Sequence, residues 1–185
     1  MDKNDLRKEL RLKRDMLSKD LIVKLSSLLY NRIINDERFI KAKTIMTYVS
    51  MGSEADTHNL INYSLKMGKK VSVPVVVRGT KTLEISYINS MDDLLLGSYE
   101  ILEPKQFARC NKEDIDLIIV PAIAFDLNGH RIGYGAGFYD RLLAENTNAV
   151  KMGIGYDFSI VENTFPQKYD VSMDCILTDE RTIEV

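Results

Sequence analysis

The sequence predicts an α/β fold, a three-layer α/β/α arrangement around a mainly parallel, Rossmann-like central sheet. Short runs rich in β-branched residues alternate with longer stretches whose leucines recur every three or four positions, the order of a parallel sheet with helices on its faces. The run at 115–125 (IDLIIVPAIAF) is apolar with little alternation, as a strand buried on both faces must be. A chain of 185 residues, 45% hydrophobic and 28% charged, is long enough for one core, and residues 1–185 are read as a single domain.

The elements follow in order. A first helix is expected from residue 5 to about 17, with Leu6, Leu10 and Leu17 on one face and Arg7, Arg11 and Arg14 on another. Ser18 and Asp20 punctuate it, and a second helix carrying Leu21, Leu25, Leu28 and Leu29 runs to about residue 36. The β-branched run at 44–50 is a strand. Asp56 and Thr57 suit the N-cap of a helix that carries Leu60, Ile61, Leu65 and Met67 and that Gly68 ends. Strands are expected at 70–77 and 83–88, then the buried run at 115–125 with a turn from Asp126 to Gly129. A helix at 138–144 and strands at 150–156 and 175–178 complete the sheet.

Composition excludes several functions. A net charge of −2 and a pI near 5.8 offer polyanions no general attraction. Asp2, Asp5, Glu9 and Asp15 also interleave the cations of the first helix, so no nucleic acid is expected as partner. The longest apolar stretch, 117–125, is interrupted by Pro121 and too short to cross a bilayer, and the N-terminus has no secretory core segment. No membrane partner and a cytoplasmic location are the expectation. Cys110 and Cys175 form no CxxC pair, and His58 and His130 are too few for a zinc site. Any metal would be held by oxygen.

The most informative segment is His130-Arg131-Ile132-Gly133-Tyr134-Gly135-Ala136-Gly137-Phe138-Tyr139-Asp140-Arg141. Three alternate glycines give a core nothing, which points to an outside object approaching the backbone. The loop follows a strand end and opens a helix, where N–H groups and the helix dipole favour an anion, and Arg131 adds a guanidinium suited to phosphate. A tight surface loop remains the alternative, since the spacing matches no general nucleotide motif. Asp140 reads equally as a helix-start aspartate or a magnesium ligand, with Asp170 and Asp174 the nearest carboxylates downstream. Lys3, Arg7, Arg11 and Arg14 read as a solvated stripe from which one or two cations dock on phosphate. Glu54 and Asp56 can accept from an amino-bearing ring, Asp56 also being a helix cap. Tyr134, Phe138, Tyr139 and Tyr156 line a flat pocket or pack into the core.

Taken together, the chain resembles the 5-formyltetrahydrofolate cyclo-ligase family. The likeness is carried by Lys3 to Arg7, Glu54 to Thr57, Glu103-Pro104, Asp116 through Arg141, Pro166, Asp170 and Asp174, and its specific part is Arg131 to Arg141. The resemblance implies a sugar isomerase/CoA-transferase-like topology. It also implies a monomeric, ATP- and magnesium-dependent enzyme that converts 5-formyltetrahydrofolate to 5,10-methenyltetrahydrofolate, ADP and phosphate. ATP would phosphorylate the formyl oxygen, and N10 would then close the ring. By the same resemblance Lys3, Asn4, Asp5, Leu6 and Arg7, with Arg131, Ile132, Gly133, Tyr134, Gly135, Ala136, Gly137, Phe138 and Tyr139, would contact ATP. Met51, Glu54, Asp56 and the loop from Tyr134 to Phe138 would border the folate, and Asp140 and Asp174 would hold magnesium. Arg131, Tyr139 and Asp140 would act at the reacting groups, by positioning and electrostatics. Ala122, Phe138 and Tyr169 depart from the family pattern, which commonly has glycine, tyrosine and histidine there. A non-catalytic folate or nucleotide sensor with the same fold is the rival reading, against which Arg131 and Asp140 both argue.

Overall fold

The structure is a computed structural model that describes residues 2–97, 101–145 and 148–185. Its centre is a seven-stranded sheet built from β1 (Thr44–Thr47), β2 (Lys70–Val76), β3 (Leu83–Ile88), β6 (Leu117–Pro121), β9 (Val150–Ile154), β11 (Cys175–Leu177) and β12 (Thr182–Glu184), in the order β12-β11-β9-β6-β1-β2-β3. The five inner strands are parallel, and β3 and β12 close the edges antiparallel.

The pleat sorts alternate residues into two cores. Ile45, Leu117, Ile119 and Leu177 face Leu29 and Ile33 of α2 (Lys19–Asn35), Phe39 of α3 (Glu37–Lys41) and Leu60 of α4 (His58–Lys66). Met46, Ile118, Val120 and Ile176 face Leu142 and Leu143 of α5 (Phe138–Glu145). On that second face the helix shares its place with a small sheet of β10 (Ile160–Val161), β7 (Ala124–Asp126) and β8 (Arg131–Ile132). The first helix, α1 (Lys3–Asp15), lies on this sheet through Leu6 and Leu10 against Ile123, Ala124 and Ile132. Among the described residues no helix is long and apolar enough to cross a membrane.

Several boundaries differ from expectation for identifiable reasons. α1 starts two residues early because Asp2 accepts from the N–H groups of Asn4 and Asp5 while Asp5 answers the Asp2 N–H, a reciprocal cap. The run at 115–125 is two strands in two sheets, the first ending at Pro121 and the second starting at Ala124. Thr57 precedes α4, but its hydroxyl donates to the Tyr48 carbonyl at 2.8 Å, and the helix N–H of His58 goes to Asp56. The short α3, the hairpin of β4 (Leu94–Leu96) with β5 (Leu102–Pro104), and β8, β10 and β12 carry too few residues to show a period.

Strand order changes direction at β1. The chain moves from β1 outward to β2 and β3, then returns to place β6 on the other side of β1. The carboxyl ends of these two strands therefore open a crevice, the position at which α/β sheets take ligands. Tyr48, Pro121, Gly155 and Tyr156 line it from the strand ends, with Arg14 over them.

Gly153 of β9 shows how tightly the second face is filled. A Cβ there would lie 2.5 Å from the Phe125 ring. Gly153→Ala is expected to destabilise the fold by about 1–3 kcal/mol through overpacking, read as a melting temperature lower by several degrees, while an unchanged melting curve would mean that the ring can move aside.

Candidate active site

The loop between β8 and α5 is shaped by backbone needs and by two guanidinium groups. Gly135 and Gly137 have φ of +102° and +69°, conformations that side chains resist. Arg7 on α1 donates through Nε to the Gly133 carbonyl at 2.8 Å and lies against Gly135. Arg141 of α5 donates to the carbonyls of Ala136 (3.0 Å) and Gly137 (2.9 Å). The carbonyls are thus turned toward cations, and among the described residues the backbone N–H groups of 133–137 donate to no protein acceptor. A run of donors without protein partners beside two cations has the donor set and charge that suit an anion.

Arg131 anchors this loop from below. It is 6% exposed and donates to the Val171 carbonyl and to Asp140 Oδ1, at 2.8 and 2.7 Å, while Asp140 Oδ1 also accepts from the Val171 N–H at 3.3 Å. Its donors are therefore turned inward, and toward the loop it offers its charge and the Asp140 that it orients. Asp170, the neighbour of Val171, pairs with Lys3 at 2.5 Å. Burial works against ionisation of Asp170, but Lys3 and the Gln167 N–H outweigh it and hold the carboxyl below its ordinary value.

Of the late aspartates, Asp170 precedes Val171, whose N–H meets Asp140, and itself bonds Lys3, whereas Asp174 lies elsewhere. Asp174 accepts from the Lys151 N–H at 2.7 Å and pairs with its ammonium at 3.0 Å, at the amino ends of β9 and β11. Asp116 plays the same part at the amino end of β1, where it accepts from the N–H groups of Lys43 and Thr44. Among the described residues no three His, Cys, Asp or Glu side chains converge as a metal cage. Asp140, at the loop, keeps Oδ2 outside the bonds just described, and a single carboxylate suits an ion such as magnesium that takes one or two carboxylates and fills its other positions with water and phosphate.

On the other side of the loop tip, the Tyr134 hydroxyl donates to Glu54 Oε1 and accepts from Arg14 Nη2. Glu54 Oε2 accepts from the Met51 N–H at 3.0 Å. Burial, then the Glu54 charge, pushes the Tyr134 phenol up to about 12. Among the described residues the Tyr139 hydroxyl is buried without a hydrogen-bond partner, and burial and Glu54 push it far above the ordinary phenol range. A buried donor left unpaired in the protein is normally completed by a ligand or water.

The other expected contacts divide. Asn4 accepts from Arg7, and Asp5 caps its own helix. The side chains of Leu6 and Ile132 are core, so they reach a ligand only through main chain, and Phe138 packs against the second core. Met51 is exposed, and Asp56 accepts from Ser50 and His58. Burial pushes the Cys175 thiol up to about 12 and raises that of Cys110, so neither is an activated nucleophile. Arg14 was expected on the charged face, but it is 9% exposed and buried beside Leu6 and Leu10. Its spacing of four from Leu10 was the available signal.

Comparison with known proteins fits this geometry. The model of the 5-formyltetrahydrofolate cyclo-ligase family matches residues 1–179. The chain belongs to that family. The cyclo-ligase of Escherichia coli K12 is 29% identical, with 78% of this chain and 82% of that protein covered. The cyclo-ligase of Haemophilus influenzae is 32% identical, with 74% and 76% covered. The solution structure of Aquifex aeolicus 5,10-methenyltetrahydrofolate synthetase superposes with a TM-score of 0.88 at 32% identity, over 100% of this chain and 93% of that one. Membership in the cyclo-ligase family makes this an enzyme of the ligase kind and ties it to folate chemistry.

The hairpin that delivers Arg131 depends on Asp126, which is buried and accepts from the N–H groups of Asn128, His130 and Thr164 and from the Thr164 hydroxyl. Burial opposes its charge, yet these donors hold the carboxyl below its ordinary value. Its contribution to stability is therefore complete above the unfolded value of 3.8 and lost as pH falls through the folded value. Asp126→Asn is expected to melt below wild type at neutral pH, with the gap closing in strong acid. A gap independent of pH would reject the charge as its source.

Proposed function

We propose that this enzyme is a 5-formyltetrahydrofolate cyclo-ligase that uses ATP and magnesium to form 5,10-methenyltetrahydrofolate, ADP and phosphate. The observation that carries the reading is the row of unpaired N–H groups at 133–137 between cationic side chains. A triphosphate tail supplies the acceptors that this row lacks, and Lys3 and Arg7 lie beside it to offset the charge.

The chemistry explains why a ring closure needs a nucleotide. A formamide carbon is a poor electrophile, and its oxygen must leave. Attack of the formyl oxygen on the terminal phosphorus releases ADP and gives an iminium phosphate. N10 then attacks the formyl carbon, inorganic phosphate departs, and N10 loses its proton. Both nitrogens belong to one molecule, so a site that holds the substrate folded gains proximity, an effect worth up to about 7–11 kcal/mol in well-oriented systems.

The residues divide this work by position. The loop amides fix the phosphate tail, Arg131 orients Asp140, and Tyr139 offers a buried hydroxyl to a substrate oxygen. Glu54 and Met51 border the folate with Tyr134, and Asp56 stands beside them at the start of α4. Magnesium, when bound, would be held by Asp140, whose Oδ2 lies outside its bonds to Arg131 and Val171, and would neutralise charge on the phosphates.

Two measurements test this. Purified protein with 5-formyltetrahydrofolate, ATP and magnesium should develop the near-ultraviolet absorbance of the methenyl product, with one phosphate released per ring closed; folded protein that binds ATP but forms no product would refute the assignment. Gly135→Ala should raise the KM for ATP about tenfold, some 1.4 kcal/mol, with a smaller change in the KM for folate, because φ at this position is +102°. Equal changes in both constants would remove the loop from phosphate binding.

A further inference from the structure

Of the cations on α1, Lys3 and Arg7 serve the nucleotide reading above, and Arg14 does not. Its partners are two neutral hydroxyls: Nε donates to Ser53 Oγ at 3.1 Å and Nη2 to the Tyr134 hydroxyl at 2.8 Å. The guanidinium also stands 5.8 Å from the centre of the Tyr134 ring. Carboxylates enter one hydroxyl further out, Glu54 through Tyr134 and Asp15 through Ser53. A guanidinium buried without a direct carboxylate is a poor stabilising element, and an apolar residue of similar volume commonly serves a core as well or better.

The three segments that Arg14 joins are the end of α1, the turn after β1 and the tip of the glycine loop. Tyr134 stands between Gly133 and Gly135, where the backbone is least constrained, and the side-chain hydrogen bonds that hold it are those to Arg14 and Glu54. Because its phenol keeps its proton at neutral pH, it must accept from Arg14 and donate to Glu54. The direction of the chain of bonds is therefore fixed.

We propose that Arg14 is the positioning residue of the folate side, holding the Tyr134 phenol and, through it, the Glu54 carboxylate in the orientation that receives the substrate. The proposal rests on the cyclo-ligase reading. One side chain then sets the tip of the phosphate loop and the folate wall together.

The experiment is a kinetic double-mutant cycle on the full chain, with Arg14→Met, Arg14→Lys, Tyr134→Phe and the double variant Arg14→Met/Tyr134→Phe. Arg14→Met should raise the KM for 5-formyltetrahydrofolate about tenfold, some 1.4 kcal/mol, with the KM for ATP changed less than about twofold and the melting temperature unchanged or higher. Arg14→Lys should recover only part of the loss, because an ammonium lacks the planar fork that spans Ser53 and Tyr134. Tyr134→Phe should resemble Arg14→Met, and the double variant should be no worse than the worse single one. An unchanged folate KM, additive losses, or equal shifts in both KM values with a lowered melting temperature would overturn the proposal. If Arg14→Met does not fold, Arg14→Lys and Tyr134→Phe decide by the same criterion. Wild-type turnover with unaffected Arg14 variants defeats the proposal alone, whereas an inactive wild type defeats the cyclo-ligase reading and this proposal with it.

Discussion

A guanidinium held almost out of water beneath the glycine loop is the constraint on which the site depends. Arg131 would be costly to bury alone, and Asp140 and the Val171 carbonyl make its burial tolerable. Removing one member of such a pair typically costs about 3–5 kcal/mol, because the remaining charge is stranded. The same contacts join β8, the first turn of α5 and the segment ahead of β11. Asp140 is thereby aimed, and Asp170, next to Val171, is held by Lys3 of α1. Geometry for chemistry and neutralisation of a buried charge are one arrangement.

Around this anchor, α1 works along its whole length. Lys3 meets Asp170, Arg7 meets the Gly133 carbonyl, Leu6 and Leu10 pack on the small sheet, and Arg14 reaches the turn after β1. A helix that only covered the sheet would need the leucines alone. The cations instead divide by depth, with those near the N-terminus at the glycine loop and its Asp170 flank and the last one over the crevice between β1 and β6. Burial holds both cysteine thiols in their protonated range, so what α1 and the loop offer to chemistry is an electrostatic layout.

The sheet was legible because its central strands are short, β-branched and buried on both faces, and because the glycine segment lies after a strand and before a helix. Boundaries failed where local chemistry outweighed periodicity, as at the Asp2 cap and at Pro121. The site was legible as a loop with cations and carboxylates, but spacing cannot tell which distant aspartate arrives. Asp170 and Asp174 lie four residues apart, yet the first bonds Lys3 and the second Lys151, a choice made by the register of β11 against β9. Arg14 was misread because a long cation near the edge of an apolar stripe can turn either way, and only the tertiary partners Ser53 and Tyr134 turn it inward. Gly153 gave no sign of its role, since what it accommodates is a ring 28 positions earlier in the chain.

The pairing of Lys3 with Asp170 closes a loop of 167 positions. During synthesis the first helix leaves the ribosome long before its partner, so the charges that flank the amide row cannot pair until residue 170 has emerged. Contacts of such long sequence separation also slow spontaneous folding. A nascent chain therefore cannot close this end of the glycine loop until residue 170 has joined the first helix.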